Sequence, residues 1–252
     1  MARFPFLEWP GPLAFAHQGA HFDGGDGGTG ENTMESFEAA VALGYRYLET
    51  DTHATADGVL VAFHDDTLDR LTDRAGAIAD LPWAEVRAAR VRGHHEIPLL
   101  EDVLTAWPDV RVNIDPKNDA AVDPLVELVR RTDSIDRVCI GAFSDARLDR
   151  VRAALGERIC TSMGPRQVRR LLLASRGVPG RRPSAACVQV PVRHGPVTIV
   201  NGRFVAAAHR RDLQVHVWTI NEAAEMRRLL DLGVDGIMTD RPDVLKAVLE
   251  AR

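Results

Sequence analysis

The chain has 252 residues, of which 45% are hydrophobic and 27% charged, a composition typical of a globular protein with one barrel-sized domain spanning residues 1–252. Its formal net charge of −5 and its scattered arginines argue against nucleic-acid binding, which usually requires a clustered basic surface. Because no apolar run approaches the roughly 18 residues that span a bilayer, and the N-terminus lacks a signal-peptide pattern, we predict no transmembrane segment and a cytoplasmic location.

Short apolar and β-branched runs recur along the chain and predict nine strands. In chain order they cover residues 13–17, 45–53, 59–64, 110–115, 137–143, 158–163, 186–192, 214–220 and 234–239. Segments with helical spacing separate most of these runs, for example residues 34–44, 120–131, 146–156 and 222–233. Gly44, Gly156 and Gly233 end three of those segments, where a left-handed residue commonly terminates a helix. This alternation predicts a parallel sheet built from βα units.

An α/β fold of the TIM-type (β/α)8 barrel class is the predicted architecture. Nine strand-like runs are one too many for it, and the linker at residues 54–58 is too short for a crossover helix. We therefore expect one of the two strands flanking this linker to lie outside the barrel order. A doubly wound sheet is the alternative, but its GxGxxG turn should follow the first strand directly. The glycines here come later and are interrupted by Asp23 and Asp26.

Polar side chains lie at the carboxyl ends of several predicted strands. They are His17, Glu49, Asp51, His64, Asp115 and Lys117 in the first half of the chain, and Trp218, Asn221, Thr239 and Asp240 in the second. Glu49 and Asp51 are two residues apart, so both point to the same side of their strand. In a barrel the carboxyl ends of all strands meet at one rim, where the active sites of this fold are built.

Each of these side chains also has an ordinary structural interpretation. A strand-end histidine usually meets water, Glu49 or Asp51 could pair with Arg46, and Trp218 could simply pack. Their combination is more informative. Three carboxylates suit a hard cation such as Mg²⁺ or Ca²⁺ rather than zinc. Two histidines can divide general acid and base work, and a lysine attracts an anionic substrate, so the set fits hydrolysis of a phosphodiester.

Five segments resemble the glycerophosphodiester phosphodiesterases. They are AHQG at 16–19, ENTMESFEAAVALGYRYLETDTHATADGVLVAFHDDTLDRLT at 31–72, VNIDPK at 112–117, VHVWTIN at 215–221 and GVDGIMTDRPD at 233–243, in the order of that family. The long segment, with E-x-D followed by T-x-D-G and H-D, is highly specific. The resemblance implies a TIM-type barrel that uses one divalent cation, Mg²⁺ or Ca²⁺, to cleave a small glycerophosphodiester into glycerol 3-phosphate and an alcohol.

The resemblance also implies roles for individual residues. Glu49, Asp51 and Asp115 match the metal ligands, and His17 and His64 match the acid/base pair. Substrate or phosphate contacts are predicted for Gln18, Lys117 and Trp218, with contributions from Glu31 and Asn32 at the start of the first helix.

Two positions depart from the family pattern. Gln18 stands where the family has an arginine that clamps phosphate, and a glutamine donates a hydrogen bond without bringing charge. Asp115 stands where the family has a longer glutamate. These departures concern the identity of the substrate more than the reaction. Two alternatives therefore stay open, a lysophospholipase D-type enzyme and a barrel that binds a phosphorylated ligand without hydrolysing it.

The stretch from the first strand to the first helix carries two further predictions. The glycine-rich residues from Asp23 to Gly30 would form a βα loop beside His17. This loop would be either a movable lip that covers the substrate or a surface loop without function. Asn32 is predicted to cap the following helix, with Glu35 completing a capping box.

Cysteine usage predicts reduced thiols. The three cysteines, Cys139, Cys160 and Cys187, each lie in an apolar stretch. Their spacing matches no zinc or CxxC motif, and buried free thiols are the usual outcome of such a pattern.

Overall fold

The computed structural model describes residues 4–20, 30–179 and 183–252. These residues contain thirteen strands: β1 (Leu13–His17), β2 (Tyr47–Ala54), β3 (Leu60–Ala62), β4 (Arg90–Val91), β5 (His95–Glu96), β6 (Arg111–Pro116), β7 (Val138–Ile140), β8 (Cys160–Thr161), β9 (Cys187–Pro191), β10 (Arg193–His194), β11 (Val197–Thr198), β12 (Gln214–Trp218) and β13 (Gly236–Thr239). They also contain nine α-helices: α1 (Met34–Ala42), α2 (Trp83–Val86), α3 (Leu100–Ala106), α4 (Val122–Arg131), α5 (Asp145–Leu155), α6 (Pro165–Ala174), α7 (Gly202–His209), α8 (Ala223–Asp231) and α9 (Pro242–Glu250). None of the helices described is long and apolar enough to cross a membrane.

Eight parallel strands form the barrel, which confirms the predicted TIM-type fold. They follow the order β8-β7-β6-β2-β1-β13-β12-β9. The ring closes between β8 and β9 through one isolated bridge, from Ser162 to Cys187, flanked by the backbone hydrogen bonds Met163 N to Cys187 O and Ala186 N to Thr161 O, each 2.9 Å long. Within the described chain, this β8–β9 seam is the barrel contact with the fewest paired residues.

The ninth predicted strand lies outside the barrel order, as expected from the short linker. β3 runs antiparallel to the carboxyl half of β2, with Thr52 paired to Ala62 and Ala54 to Leu60. A hairpin needs no crossover helix, so five linker residues suffice. The pairing places His64, just after β3, at the same rim as the end of β2.

The helix ends confirm one local prediction and correct another. Gly44, Gly156 and Gly233 have φ values of 99°, 74° and 91°, the left-handed conformation predicted for them. The helix cap predicted at Asn32 is wrong by one residue, because Thr33 and Ser36 form the capping box of α1 with reciprocal 3.2 Å hydrogen bonds.

Asn32 is instead a buried residue with φ 56°, and its Oδ1 accepts a 2.7 Å hydrogen bond from Thr50. Glu35 does not complete a capping box, and its carboxylate lies 3.3 Å from His95. Most of the predicted lip, residues 23–29, lies outside the described residues.

The amino-terminal end of the barrel interior is filled by rings and thiols. A 3-10 turn over Pro5–Leu7 buries Phe6 edge-on against Tyr47, with ring centroids 5.3 Å apart, and the Tyr47 hydroxyl donates to the Phe6 carbonyl at 2.7 Å. The same cluster contains Phe15 and the three cysteines, which are buried and free as predicted. With this end packed, the functional cavity opens at the carboxyl ends of the strands.

Candidate active site

A cavity of about 590 Å³ lies at the carboxyl ends of the barrel strands. The predicted site residues that line it are His17, Glu49, Asp51, His64, Asp115, Lys117 and Trp218. The other three lie elsewhere: Gln18 and Asn32 are buried beside the cavity, and Glu31 forms an ion pair with Arg70. The structure therefore brings the predicted carboxylates, histidines and lysine into one place.

Strand register explains how the three carboxylates meet. Glu49 is paired with His17 on one side, and Asp51 is paired with Asp115 on the other, because β2 lies between β1 and β6. All three carboxylates are buried, with residue exposures of 5%, 2% and 7% in chain order. Burial, with the nearby charge of Asp51, raises the pKa of Glu49 to about 8, and burial raises the pKa of Asp115 to about 6. Protein groups alone therefore stabilise these anions poorly.

Two carboxylate oxygens in this group of three carboxylates indicate that it needs a positively charged partner. Glu49 Oε2 and Asp115 Oδ1 are buried, and neither has a hydrogen-bond partner among the described residues. Buried polar atoms are normally satisfied, so unsatisfied anionic oxygens point to a missing positive partner. Carboxylate oxygens are the ligands that Mg²⁺ and Ca²⁺ prefer. The donor set fits a hard divalent cation.

Lys117 and Gln18 both contact the carboxylate of Asp51. Lys117 Nζ lies 2.6 Å from Asp51 Oδ1 and 3.3 Å from Asp115 Oδ2, and Gln18 Nε2 donates to Asp51 Oδ2 at 2.8 Å. Burial would lower the pKa of Lys117, but Asp115 and Asp51 outweigh it and hold the pKa above its usual range. Gln18 thus contacts a predicted metal ligand.

The predicted ligand trio is more widely spread than a closed metal site. In the part of the chain that is described, two other groups of three have ligand atoms within 4.8 Å of one another: Cys139 with Cys160 and Cys187, and Glu31 with His64 and Asp65. The ammonium group of Lys117 lies against both aspartates of the trio.

His17 is held by a carboxylate to which the sequence analysis assigned no role. Its Nδ1 donates to Asp240 Oδ1 at 2.6 Å, and its Nε2 lies 3.7 Å from Glu49 Oε2. Asn221 in turn binds Asp240 through its amide nitrogen and its amide oxygen, each at 2.9 Å. Burial would lower the pKa of His17, but Glu49 and Asp240 outweigh it and raise the pKa to about 9. In the sequence, the feature that could have indicated a role for Asp240 was its position at the end of the last strand.

His64 is more exposed and has its own carboxylate. Its Nδ1 lies 2.7 Å from Asp65 Oδ1, and Arg70 Nη2 donates to the same oxygen at 2.8 Å. The hydrogen bonds from Arg70 lower the pKa of Asp65 to about 2, so this carboxylate stays ionised. Arg70 also binds Glu31 at 2.7 Å, which ties the start of the first helix to the His64 segment. Glu31 therefore supports the site from outside the cavity.

The rest of the cavity lining is mostly apolar, and it comes from the opposite half of the barrel. Its apolar members include Phe143, Met163, Val168, Leu172, Val190, Pro191, Val197, Ile199 and Trp218. They belong to β9, β12 and α6 and to the segments around β7, β8, β10 and β11. Phe143 is 68% exposed, and its ring packs edge-on against Trp218, with ring centroids 5.7 Å apart. The cavity thus has a charged side and an apolar side, and sequence reasoning missed the second.

Comparison with known proteins places this chain in a family. The profile of the glycerophosphoryl diester phosphodiesterase family matches residues 17–244. A probable glycerophosphodiester phosphodiesterase 2 of Mycobacterium tuberculosis is 41% identical, over 98% of this chain and 94% of its own length. A human lysophospholipase D is 28% identical, over 90% of this chain and 84% of its own length.

Solved structures share the fold. A putative glycerophosphoryl diester phosphodiesterase from Silicibacter pomeroyi superposes with a TM-score of 0.80 at 24% identity, over 98% of both chains. A phosphodiesterase from Oleispira antarctica, in complex with the product sn-glycerol-3-phosphate, gives 0.78 at 21% identity, over 95% of this chain and 97% of its own.

Proposed function

This chain belongs to the glycerophosphoryl diester phosphodiesterase family, and on that premise we propose that it cleaves glycerophosphodiesters with a divalent cation held by Glu49, Asp51 and Asp115. The products are glycerol 3-phosphate and an alcohol. Membership in a family of phosphoric diester hydrolases leaves no support for the binding-only alternative. The observation that carries the cation proposal is the pair of buried oxygens on Glu49 and Asp115 that have no hydrogen-bond partner among the described residues.

The side chains around the cavity have different roles in the proposed reaction. When bound, the cation supplies Lewis-acid stabilisation to the phosphoryl oxygens. Lys117 adds a fixed positive charge on the same side of the cavity. His17 and His64 act as the acid/base pair: one removes a proton from the attacking water or hydroxyl, and the other protonates the leaving alcohol oxygen. Asp240 accepts the Nδ1 proton of His17, which leaves Nε2 to exchange a proton.

Release of glycerol 3-phosphate from glycerophosphocholine tests this proposal. We would measure it with EDTA, Mg²⁺ or Ca²⁺, for the native chain, for Glu49→Gln and for the control Glu127→Gln, whose carboxylate forms an exposed ion pair with Arg130. We expect metal-dependent turnover that falls by at least about 100-fold in Glu49→Gln and is unchanged in the control. Turnover that survives EDTA would refute the metal assignment, and no release with any metal would refute the substrate.

A second candidate function is supported by the apolar side of the cavity. We propose that a lysophospholipid can place its acyl chain there while its phosphodiester meets the charged side, as in a lysophospholipase D. The name of the human relative is consistent with this reading. The exposed ring of Phe143 is the kind of surface that an acyl chain would cover.

Two substrates separate the candidates. We expect Phe143→Ala to lower kcat/KM for lysophosphatidylcholine by about 10-fold, the effect of roughly 1.4 kcal/mol of lost apolar contact, and to leave glycerophosphocholine within twofold. Equal effects on the two substrates, or no turnover of the lysolipid by the native chain, would rule out acyl binding on this side.

A further inference from the structure

Charge is distributed unevenly along this chain. Residues 158–211 contain eleven arginines and no aspartate or glutamate, so all 36 acidic residues lie outside this segment. The chain as a whole has a net charge of −5, and the segment is therefore a local excess of positive charge in an acidic protein. It includes β8, α6, β9, the hairpin of β10 and β11, and α7.

The fold brings several of these arginines to one side of the catalytic cavity, although they are spread along the sequence. Arg169 of α6 lines the cavity itself. Arg176, just after α6, and Arg203 of α7 line a neighbouring groove. Leu172 borders both the cavity and the groove, so the two depressions adjoin. The positive charge therefore lies beside the apolar side of the cavity.

Arg193 extends this group through the β10–β11 hairpin. It is paired with Thr198, which lines the same groove. We call the four exposed residues Arg169, Arg176, Arg193 and Arg203 the arginine face. Among the described residues none of their side chains has a carboxylate partner, and Arg193 binds only the Pro196 carbonyl, at 3.2 Å. The positive charge of the arginine face is therefore not neutralised by the described residues.

Exposed apolar side chains lie among these arginines. Five large hydrophobic residues are exposed in the described part of the chain, and four of them are Phe143, Leu173, Val178 and Val197. Phe143 and Val197 line the cavity. Leu173 follows Arg169 by four residues in α6, so the two share one face of the helix. Basic and apolar side chains thus occupy the same surface.

We propose that the arginine face docks on an anionic lipid bilayer, with the apolar side of the cavity mouth against the membrane. Clusters of arginine are attracted to anionic leaflets, and exposed aliphatic side chains enter the interfacial layer beside them. Salt screens charges beyond about 8 Å at physiological ionic strength, so the local face outweighs the distant acidic residues. A single-stranded nucleic acid fits less well, because Leu173, Val178 and Val197 offer no ring on which a base stacks.

Docking would extend the second candidate function. A lysophospholipid in the bilayer would pass directly into the apolar side of the cavity, and only this consequence rests on the proposed lysolipid activity. Binding to vesicles that contain no lysolipid does not depend on turnover, so it is measured separately.

Vesicle sedimentation tests the docking. The full chain would be mixed with vesicles of phosphatidylcholine alone, and with vesicles that also contain phosphatidylglycerol. We expect binding to the anionic vesicles only, weakened by salt, and a partition coefficient that falls roughly 10- to 30-fold in Arg176→Gln/Arg203→Gln. The control is Arg87→Gln/Arg227→Gln, which removes the same charge from two exposed arginines outside the segment. Its partition coefficient should change by no more than about twofold.

A fluorescent label tests the orientation. The three native cysteines are buried, so Leu173→Cys provides an exposed thiol for an environment-sensitive dye. We expect its emission to shift to the blue on anionic vesicles, because the dye enters the interfacial layer. The same dye on Arg87→Cys should show no shift.

Three results would overturn the proposal: equal binding to neutral and anionic vesicles, equal losses in the two double variants, or no blue shift at position 173. Displacement from the vesicles by single-stranded RNA at a lower concentration than lipid phosphate would also overturn it and assign the face to nucleic acid. Vesicle binding without turnover of lysophosphatidylcholine would retain the docking and refute the second candidate function. Turnover of glycerophosphocholine should be the same in both double variants.

Discussion

Asp240 shows how one carboxylate can set both the charge and the orientation of a histidine. It accepts the Nδ1 proton of His17 at 2.6 Å, while the side-chain amide of Asn221 donates to its Oδ2 and accepts from its backbone N–H, each at 2.9 Å. Together with Glu49 it raises the pKa of His17 to about 9 despite burial. A neutral amide at this position would keep the shape of the pair and remove its charge. Asp240 is therefore a positioning residue whose effect should appear in turnover.

We expect Asp240→Asn to lower kcat by about 10²- to 10⁴-fold with little change in KM. Asn221 Nδ2 donates to Asp240 Oδ2, so the new amide would turn its oxygen to Asn221 and its NH2 group to His17, and the imidazole would lose its orienting acceptor. Loss of a negative neighbour also lowers the pKa of His17, so the limb of the pH–rate profile due to this residue should move toward acid. Steady-state kinetics across pH measures both effects.

Asp243→Asn is the matched control for this substitution, because Asp243 forms an exposed pair with Arg241 nearby. It should leave kcat and the pH profile unchanged. A kcat for Asp240→Asn within threefold of the native value would show that the 2.6 Å contact does not position His17.

The turn that follows β1 is held against the first turn of α1, and this contact positions the site. Gly19 follows Gln18 with φ 89°, and a side chain there would overlap Ser36. Ser36 closes the capping box with Thr33 and donates to the Gln18 carbonyl at 3.1 Å. The turn that carries His17 is thus attached to the first turn of the helix, and glycine is required both by conformation and by space.

We expect Gly19→Ala to lower the free energy of unfolding by about 2–4 kcal/mol, since it combines a left-handed alanine with overpacking. Gly44→Ala is the matched control, because Gly44 has φ 99° with open space around it, and it should cost about 1 kcal/mol. Urea unfolding compares the two. Equal losses would mean that the contact with Ser36 relaxes without cost.

The order of strands around the barrel organises the whole molecule. His17 and the three carboxylates come from the neighbours β1, β2 and β6, and the apolar lining comes mainly from the other half of the ring. At the opposite end, Phe6 packs on Phe15 and Tyr47 and closes the interior. Phe6, which lies outside the strands, therefore supports the core against which the eight barrel strands pack.

We expect Phe6→Ala to lower the free energy of unfolding by about 3–5 kcal/mol, the usual cost of removing a buried ring from a packed core. Phe143→Ala should change it by no more than about 0.5 kcal/mol, because that ring is largely exposed. Both values come from urea denaturation. A loss below 1 kcal/mol for Phe6→Ala would show that the N-terminal turn is not part of the cooperative core.

The sequence alone determined the barrel, the strand outside its order, the left-handed helix ends and the rim on which the predicted polar residues gather. These features follow from local patterns: hydrophobic periodicity, a linker too short for a crossover, and glycine where the backbone must turn. Polar residues at strand ends converge in any parallel barrel, so His17, Glu49, Asp51, His64 and Asp115 could be grouped before any contact was known.

Only the tertiary structure placed Asp240 beside His17, gathered Cys139, Cys160 and Cys187 into one cluster, and divided the cavity into a charged and an apolar side. Each of these joins residues from strands that are distant along the chain but near each other in the ring, as when β13 pairs with β1. Ring closure sets such distances, and no local pattern encodes it. Even the helix cap at Thr33 rather than Asn32 depended on a long-range contact, because Thr50 on the neighbouring strand binds Asn32 and holds it outside the helix.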